Sequence, residues 1–215
     1  MNREVREEWL DTMDPAAPAA QRSRRDLRRI NSVMGNERWI RSVLHRHRDA
    51  VGCGIVEWGG GDGRLAALLA QEHPALRLRV IDRVARPAHL AGLGERLSWE
   101  SVDVLDSAPP AGGAVVANLF LHHFEADALR RLGGLLASAR LLVASEPDRS
   151  VRAYALGWMA QWCCGKVTRH DMLVSIRAGF AVRELPDLLG LDARVWRVRE
   201  HATWGGARRV VALRH

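Results

Sequence analysis

The spacing of apolar residues changes character along the chain. Between residues 23 and 34, Leu27, Ile30, Val33 and Met34 recur on one helical face while arginines fill the other. This predicts an amphipathic helix stopped by Gly35-Asn36, with a second helix over residues 39–47. Upstream, residues 1–20 begin acidic and end in Pro15-Ala16-Ala17-Pro18-Ala19-Ala20, which reads as an arm or short helix followed by a loop.

From Cys53 onward short apolar runs alternate with helical patterns. Strands are predicted over residues 53–57, 76–82, 97–102, 114–118 and 141–145, and helices over 64–72 and 127–138. A glycine-rich loop, residues 59–63, joins the first strand to its helix, and Pro74 closes that helix. Such alternation implies a mostly parallel sheet with helices on both faces. After Glu146, helices are predicted over 149–163, 170–177 and 184–189, then strands over 194–200 and 208–213. Gly205-Gly206 lies between the last two, which predicts an antiparallel hairpin. No internal repeat or second domain is visible.

Composition narrows the class. The 215 residues are 47% hydrophobic and 27% charged, values that suit one globular domain and exclude a disordered chain. No apolar run reaches membrane-spanning length, and the charged opening Met1-Asn2-Arg3-Glu4-Val5-Arg6-Glu7-Glu8 does not resemble a secretory signal, so a cytoplasmic location is expected. Cys53, Cys163 and Cys164 form no CxxC pair; neither a disulfide framework nor a metal site is expected. The net charge of +7 is carried almost wholly by arginine and peaks between Arg22 and Arg48. That density reads either as a solvated helix face or as a surface for an acidic partner such as nucleic acid.

The chemistry gathers around Ile55-Val56-Glu57-Trp58-Gly59-Gly60-Gly61-Asp62-Gly63. Its glycines allow a sharp turn and a close ligand approach. Position 64 is arginine, so the G-x-G-x-x-G spacing of a dinucleotide loop is not met. An acid two residues before the first glycine suits a cationic ligand. Asp82 ends the second strand, where a carboxylate can accept from both ribose hydroxyls. Asp103 and Val104 follow the third strand, placed to meet an adenine amino group and a ring nitrogen. Asn118 ends the fourth strand at the same edge.

Residues 53–147 thereby resemble the class I S-adenosylmethionine (SAM)-dependent methyltransferases, in particular their small-molecule subgroup. Glu57 to Gly63 resembles the family's first motif, with Trp58 where a smaller residue is usual and so placed to crowd or stack on the ligand. Asp82 matches the ribose-binding acid and Asp103 the residue near adenine, while Asn118-Leu119-Phe120-Leu121-His122-His123-Phe124 resembles the segment after the fourth strand. The resemblance implies a Rossmann-like three-layer α/β sandwich: a mostly parallel seven-stranded sheet with an antiparallel C-terminal strand and N-terminal lid helices. It divides the chain into a lid (residues 1–50), a cofactor half (51–147) and an acceptor side (148–215). It implies SAM held by Glu57, Gly59, Gly61, Gly63, Asp82, Asp103, Val104 and Asn118.

Methyl transfer to a hydroxyl benefits from a general base, for which histidine suits neutral pH. His122, His123 and His170 are the candidates; His123 lies on a crevice-lining segment, and His170 is expected at a helix start beside Asp171. Glu146 is expected just after the fifth strand, binding an acceptor or capping the next helix. Tyr154, Trp158 and Trp162 recur every four residues, either as core or as a wall for an aromatic or lipid-like acceptor, with Met159 nearby. The expected reaction is O-methylation first and C-methylation second. An RNA methyltransferase using the basic N-terminal surface and a non-catalytic scaffold are the competing readings.

Overall fold

The computed structural model describes residues 1–14, 16–107 and 112–215, excluding the Gln161 side chain. In chain order the elements are α1 (Trp9–Thr12), α2 (Pro18–Met34), α3 (Asn36–Arg46), α4 (Arg48–Val51), β1 (Ile55–Trp58), α5 (Arg64–Glu72), β2 (Leu78–Asp82), β3 (Leu97–Ser101), β4 (Ala114–Asn118), α6 (Ala126–Leu135), β5 (Leu141–Pro147), α7 (Val151–Ala160), α8 (Lys166–Ala178), α9 (Glu184–Leu188), β6 (Trp196–Ala202) and β7 (Ala207–Arg214). Short 3-10 turns intervene, including Leu121–His123 after β4 and Gln161–Cys163 after α7.

The strands form one seven-stranded sheet in the order β3-β2-β1-β4-β5-β7-β6. Only β7 runs against its neighbours β5 and β6. Strands β1, β4 and β5 are buried along nearly their whole length because helices cover both faces, which is why they read as continuous apolar runs. Alternate residues divide between two cores. Val56, Trp58, Ile81, Val115, Ala117 and Leu142 pack toward α6 and α9 through Leu129, Leu132 and Leu185. Ile55, Val80, Val116 and Val143 pack toward α3 and α5 through Ile40, Val43, Leu44, Leu65 and Leu69. No helix among the described residues is long and apolar enough to cross a membrane.

Several boundaries differ from expectation, each for a physical reason. Pro18 opens α2 at its first turn, where its missing N–H costs nothing, so residues 18–20 are helical; the Pro15 end of the expected loop lies outside the described residues. Gly35, at φ 65°, caps α2, but Asn36 starts α3 instead of stopping a helix. Strand β5 runs on through Glu146 to Pro147 because β7 pairs with it that far, with Glu146 opposite Arg208. Helix α8 begins at Lys166, so His170 lies one turn inside it and not at its start; Val167, Thr168 and Asp171 bury that first turn. Trp162 lies in the turn beyond α7, and the aromatic stripe is not core: Trp158 is 56% and Trp162 81% exposed.

Candidate functional site

Strand order reverses between β1 and β4, and the carboxyl ends of β1, β2, β3 and β4 bring Glu57, Asp82, Asp103 and Asn118 to one edge. In open α/β sheets that crevice is where ligands bind. The glycine loop is shaped for close approach. Gly59 (φ 75°) lies under the Phe120 ring, leaving no room for a Cβ, and Gly61 (φ 53°) faces open space. Gly63 (φ 73°) caps α5 and donates its N–H to the Gly60 carbonyl at 2.8 Å.

Strand alternation points Glu57 to the α3–α5 face, where it is 2% exposed. Its Oε2 has no hydrogen-bond partner among the described residues. Burial, together with the charges of Asp82, Asp62 and Glu37, raises its pKa well above the ordinary carboxylate value. Asn36, at the start of α3, is buried with both amide atoms unpartnered among the described residues, as is the buried Oδ1 of Asn31 on α2. A buried acid and buried amides without partners are costly unless a ligand completes them. The Asp82 carboxylate accepts from the Gly61 and Val84 amides, each at 2.8 Å. Asp103 accepts the Leu105 N–H at 2.9 Å and pairs with Arg83, which holds its pKa below the usual range. Val104 buries its side chain in the turn that Asp103 caps. Asn118, at the end of β4, keeps an Oδ1 with no partner among the described residues. Trp58 points into the α6-side core with no exposed surface, so the expected crowding or stacking on a ligand does not occur.

These features fit SAM. The buried Glu57 carboxyl could meet its ammonium, and Asp82, at the end of β2, could accept from its ribose hydroxyls.

Beyond β4 the backbone turns through Leu119, whose φ of 54° is unfavourable for leucine. The turn aims three successive amides at Glu146, which accepts Phe120 N–H at 3.1 Å, Leu121 N–H at 2.9 Å and His122 N–H at 3.3 Å. Glu146 also meets His122 Nδ1 at 2.9 Å. It therefore caps the turn after β4, and neither faces an acceptor nor caps the helix after β5. The other ring nitrogen of His122, Nε2, faces Glu8 Oε1 at 3.5 Å. Burial alone would lower the His122 pKa, but the bonds to Glu146 and Glu8 outweigh it and raise it to about 9. His123, 4.2 Å away between ring centroids, is pushed down to about 4 by burial and by the charge of His122. His170 stacks on Trp9 at 3.8 Å and bonds Asp171 through Nδ1 at 2.9 Å. Asp171 in turn accepts the Trp9 and Leu10 amides at 2.9 and 3.1 Å, which docks the N-terminal arm on α8.

The sequence did not mark Glu8, Asn31 or Asn36 as site residues. Glu8 sits in a charged run that looks solvated, and only the docking of the arm buries it. Asn36 carried the ordinary signal of a helix stop.

No family model matches the sequence. A phenazine-1-carboxylate N-methyltransferase of Pseudomonas aeruginosa is 32% identical over 166 residues, which are 67% of this chain and 49% of that protein. The chain thus spans about half the length of the curated relative it matches. Among solved structures, the pyocyanin biosynthetic protein PhzM superposes with a TM-score of 0.64 at 23% identity, covering 97% of this chain and 62% of the other. The plantazolicin methyltransferase BamL, in complex with a triazolic desmethylPZN analog and SAH, gives 0.72 at 11% identity, covering 93% and 92%. The magnesium protoporphyrin IX methyltransferase of Synechocystis PCC 6803, with SAH bound, gives 0.57 at 18% identity over 85% of this chain. By sequence resemblance and by fold together, the chain is a relative of the class I SAM-dependent methyltransferases.

Proposed function

We propose that this chain transfers the methyl group of SAM to a small aromatic or lipid-like acceptor, at oxygen in preference to carbon. The observation that carries the reading is Glu57: a fully buried carboxylate with an unpartnered oxygen beneath a glycine loop that opens onto free space. Burying such a group is unfavourable in the ligand-free chain and becomes favourable beside a cation.

SAM supplies a methyl carbon already activated by its sulfonium, so the protein's task is alignment and exclusion of water. Glu57 would face the ammonium, the Gly59, Gly61 and Gly63 loop would let the backbone close on the cofactor, and Asp82 would hold the ribose. Asp103, Val104 and Asn118 would border the base. Phe120 covers Gly59 and stands edge-on to Phe124 at 5.1 Å, and Trp9 of α1 stacks on His170 of α8. Such aromatic rings would favour a flat acceptor, in keeping with the phenazine named for the relative. His123, held neutral by burial, and His170, oriented by Asp171, are the groups available to accept a hydroxyl proton. A ring nitrogen with a free lone pair would need no base, and for that reason oxygen is preferred.

Calorimetric titration with SAM and SAH, with NAD as control, tests the cofactor. Micromolar SAM binding that competes with SAH is expected; folded protein that binds neither overturns the proposal. Methyl-labelled SAM with phenols, naphthols and phenazine carboxylates then tests the acceptor class.

A further inference from the structure

We infer that Glu8, His122 and His123 form a divalent transition-metal site of the zinc type. One ligand atom from each of the three lies within 4.8 Å of the other two. Glu8 and His122 are buried and His123 is half-buried, so the set is neither a solvated patch nor a chance surface cluster. The cysteine spacing offered no metal ligands; the histidine pair and an acid from the far end of the chain do.

Three features distinguish this cluster from an ordinary buried ion pair. First, His122 presents Nε2 to Glu8 while Nδ1 is held at 2.9 Å by Glu146, itself fixed by three backbone amides. A carboxylate behind a histidine is the arrangement that sets the tautomer and orientation of a metal-ligating imidazole. His123 repeats it more loosely, with Nδ1 at 3.8 Å from Asp11. Second, Glu8 is held from both sides. Arg3 bonds the Ala178, His122 and Phe124 carbonyls, Trp9 and Leu10 are docked on Asp171, and Ser175 donates to the Glu8 carboxylate. A ligand carried on an N-terminal arm needs such preorganisation. Third, acids crowd the histidines, with Arg3 as a nearby cation on the His122 carbonyl. Glu8, Glu146, Asp11 and Asp171 gather around the histidines, and their ion pairs among the described residues are all to histidine.

Two histidines and one carboxylate leave a fourth position open for water or an acceptor oxygen, the layout of a zinc centre that is more than structural, and with His123 engaged as a ligand His170 is the base left to the proposed reaction. Imidazole and carboxylate ligands favour zinc-like ions over magnesium or calcium, which take all-oxygen shells.

The test is titration of the metal-stripped full chain with Zn2+ by calorimetry, and with Co2+ by its visible d–d absorption. One equivalent per chain is expected, with micromolar or tighter affinity and a tetrahedral-type cobalt spectrum. Glu8→Gln keeps side-chain size and the Ser175 contact, and His123→Ala changes a half-buried residue, so both should remain folded by circular dichroism. Each should lose more than about tenfold in affinity. Failure of the folded wild-type chain to bind one equivalent overturns the inference, as does binding that both variants leave unchanged.

Discussion

The Asp82 carboxylate accepts the Gly61 backbone N–H at 2.8 Å, so the acid at the end of β2 also braces the glycine loop after β1. Its second oxygen holds the Val84 N–H at 2.8 Å. Removing the carboxylate therefore loosens the loop as well as any ribose contact. Hydrogen bonds to charged groups contribute about 1.5–3 kcal/mol each. Asp82→Ala should weaken SAM binding by more than about tenfold. Asp82→Asn should fall between the two, because an amide retains one acceptor. Calorimetry against SAH reads the order; equal affinity of wild type and Asp82→Ala would show that this carboxylate has no part in binding.

Glu57 ties stability to pH. Its folded-state pKa is raised by burial and then by Asp82, Asp62 and Glu37, above a starting value of 4.5. The folded chain holds a proton that the unfolded chain releases above that value. Stability is therefore lost as pH climbs from 4.5 until the buried group itself ionises. Glu57→Gln should remove this slope, raising the melting temperature of the ligand-free chain near neutral pH while weakening SAM binding. Binding of SAM to wild type should be accompanied by proton release from this carboxyl, measurable as a buffer-dependent enthalpy. A variant that melts lower at pH 7 than wild type would contradict the linkage.

How much of this was legible in the sequence varies with distance along the chain. The 64–72 helix and the 114–118 strand coincide with α5 and β4 at both ends; Gly63 and Pro74 punctuate the helix and Gly112-Gly113 the start of the strand. The placement of Glu57, Asp82, Asp103 and Asn118 at one edge followed from the same strand–loop–helix rhythm. The segments after β5 were less legible. Lys166-Val167-Thr168-Arg169 looks too polar to open a helix, yet Thr168 is fully buried because it bonds Ser23 and Asp26 on α2. Glu8 and Asp171 matter through contacts between distant segments, and no local period encodes those.

Gly59 should tolerate no side chain. Its φ of 75° is strained for any L-residue, and a Cβ there would stand 2.1 Å from the Phe120 ring. Gly59→Ala must therefore displace Phe120 and, with it, the turn that delivers amides to Glu146. The expected result is a loss of SAM affinity together with a lower melting temperature. Phe120→Ala combined with Gly59→Ala should recover part of the stability, since the clash is removed and the backbone strain remains. A double variant no more stable than Gly59→Ala would place the cost in the backbone alone.

Arg208 ties the segments that follow β5 to the sheet. From β7 it reaches Asp148 through Nη2 at 2.5 Å, Glu200 through Nη1 at 2.8 Å and the Phe180 carbonyl through Nε at 2.9 Å. Arg208 and Asp148 are both buried. Removing one partner of a buried pair strands the other charge, at a cost of about 3–5 kcal/mol. Arg208→Met should destabilise by that order in urea unfolding. Asp148→Asn on the Arg208→Met background should restore part of the loss, because the uncompensated carboxylate is gone, whereas Asp148→Asn alone should destabilise. The sign of this double-mutant coupling decides the matter: additive effects would mean that the two side chains act independently despite their contact.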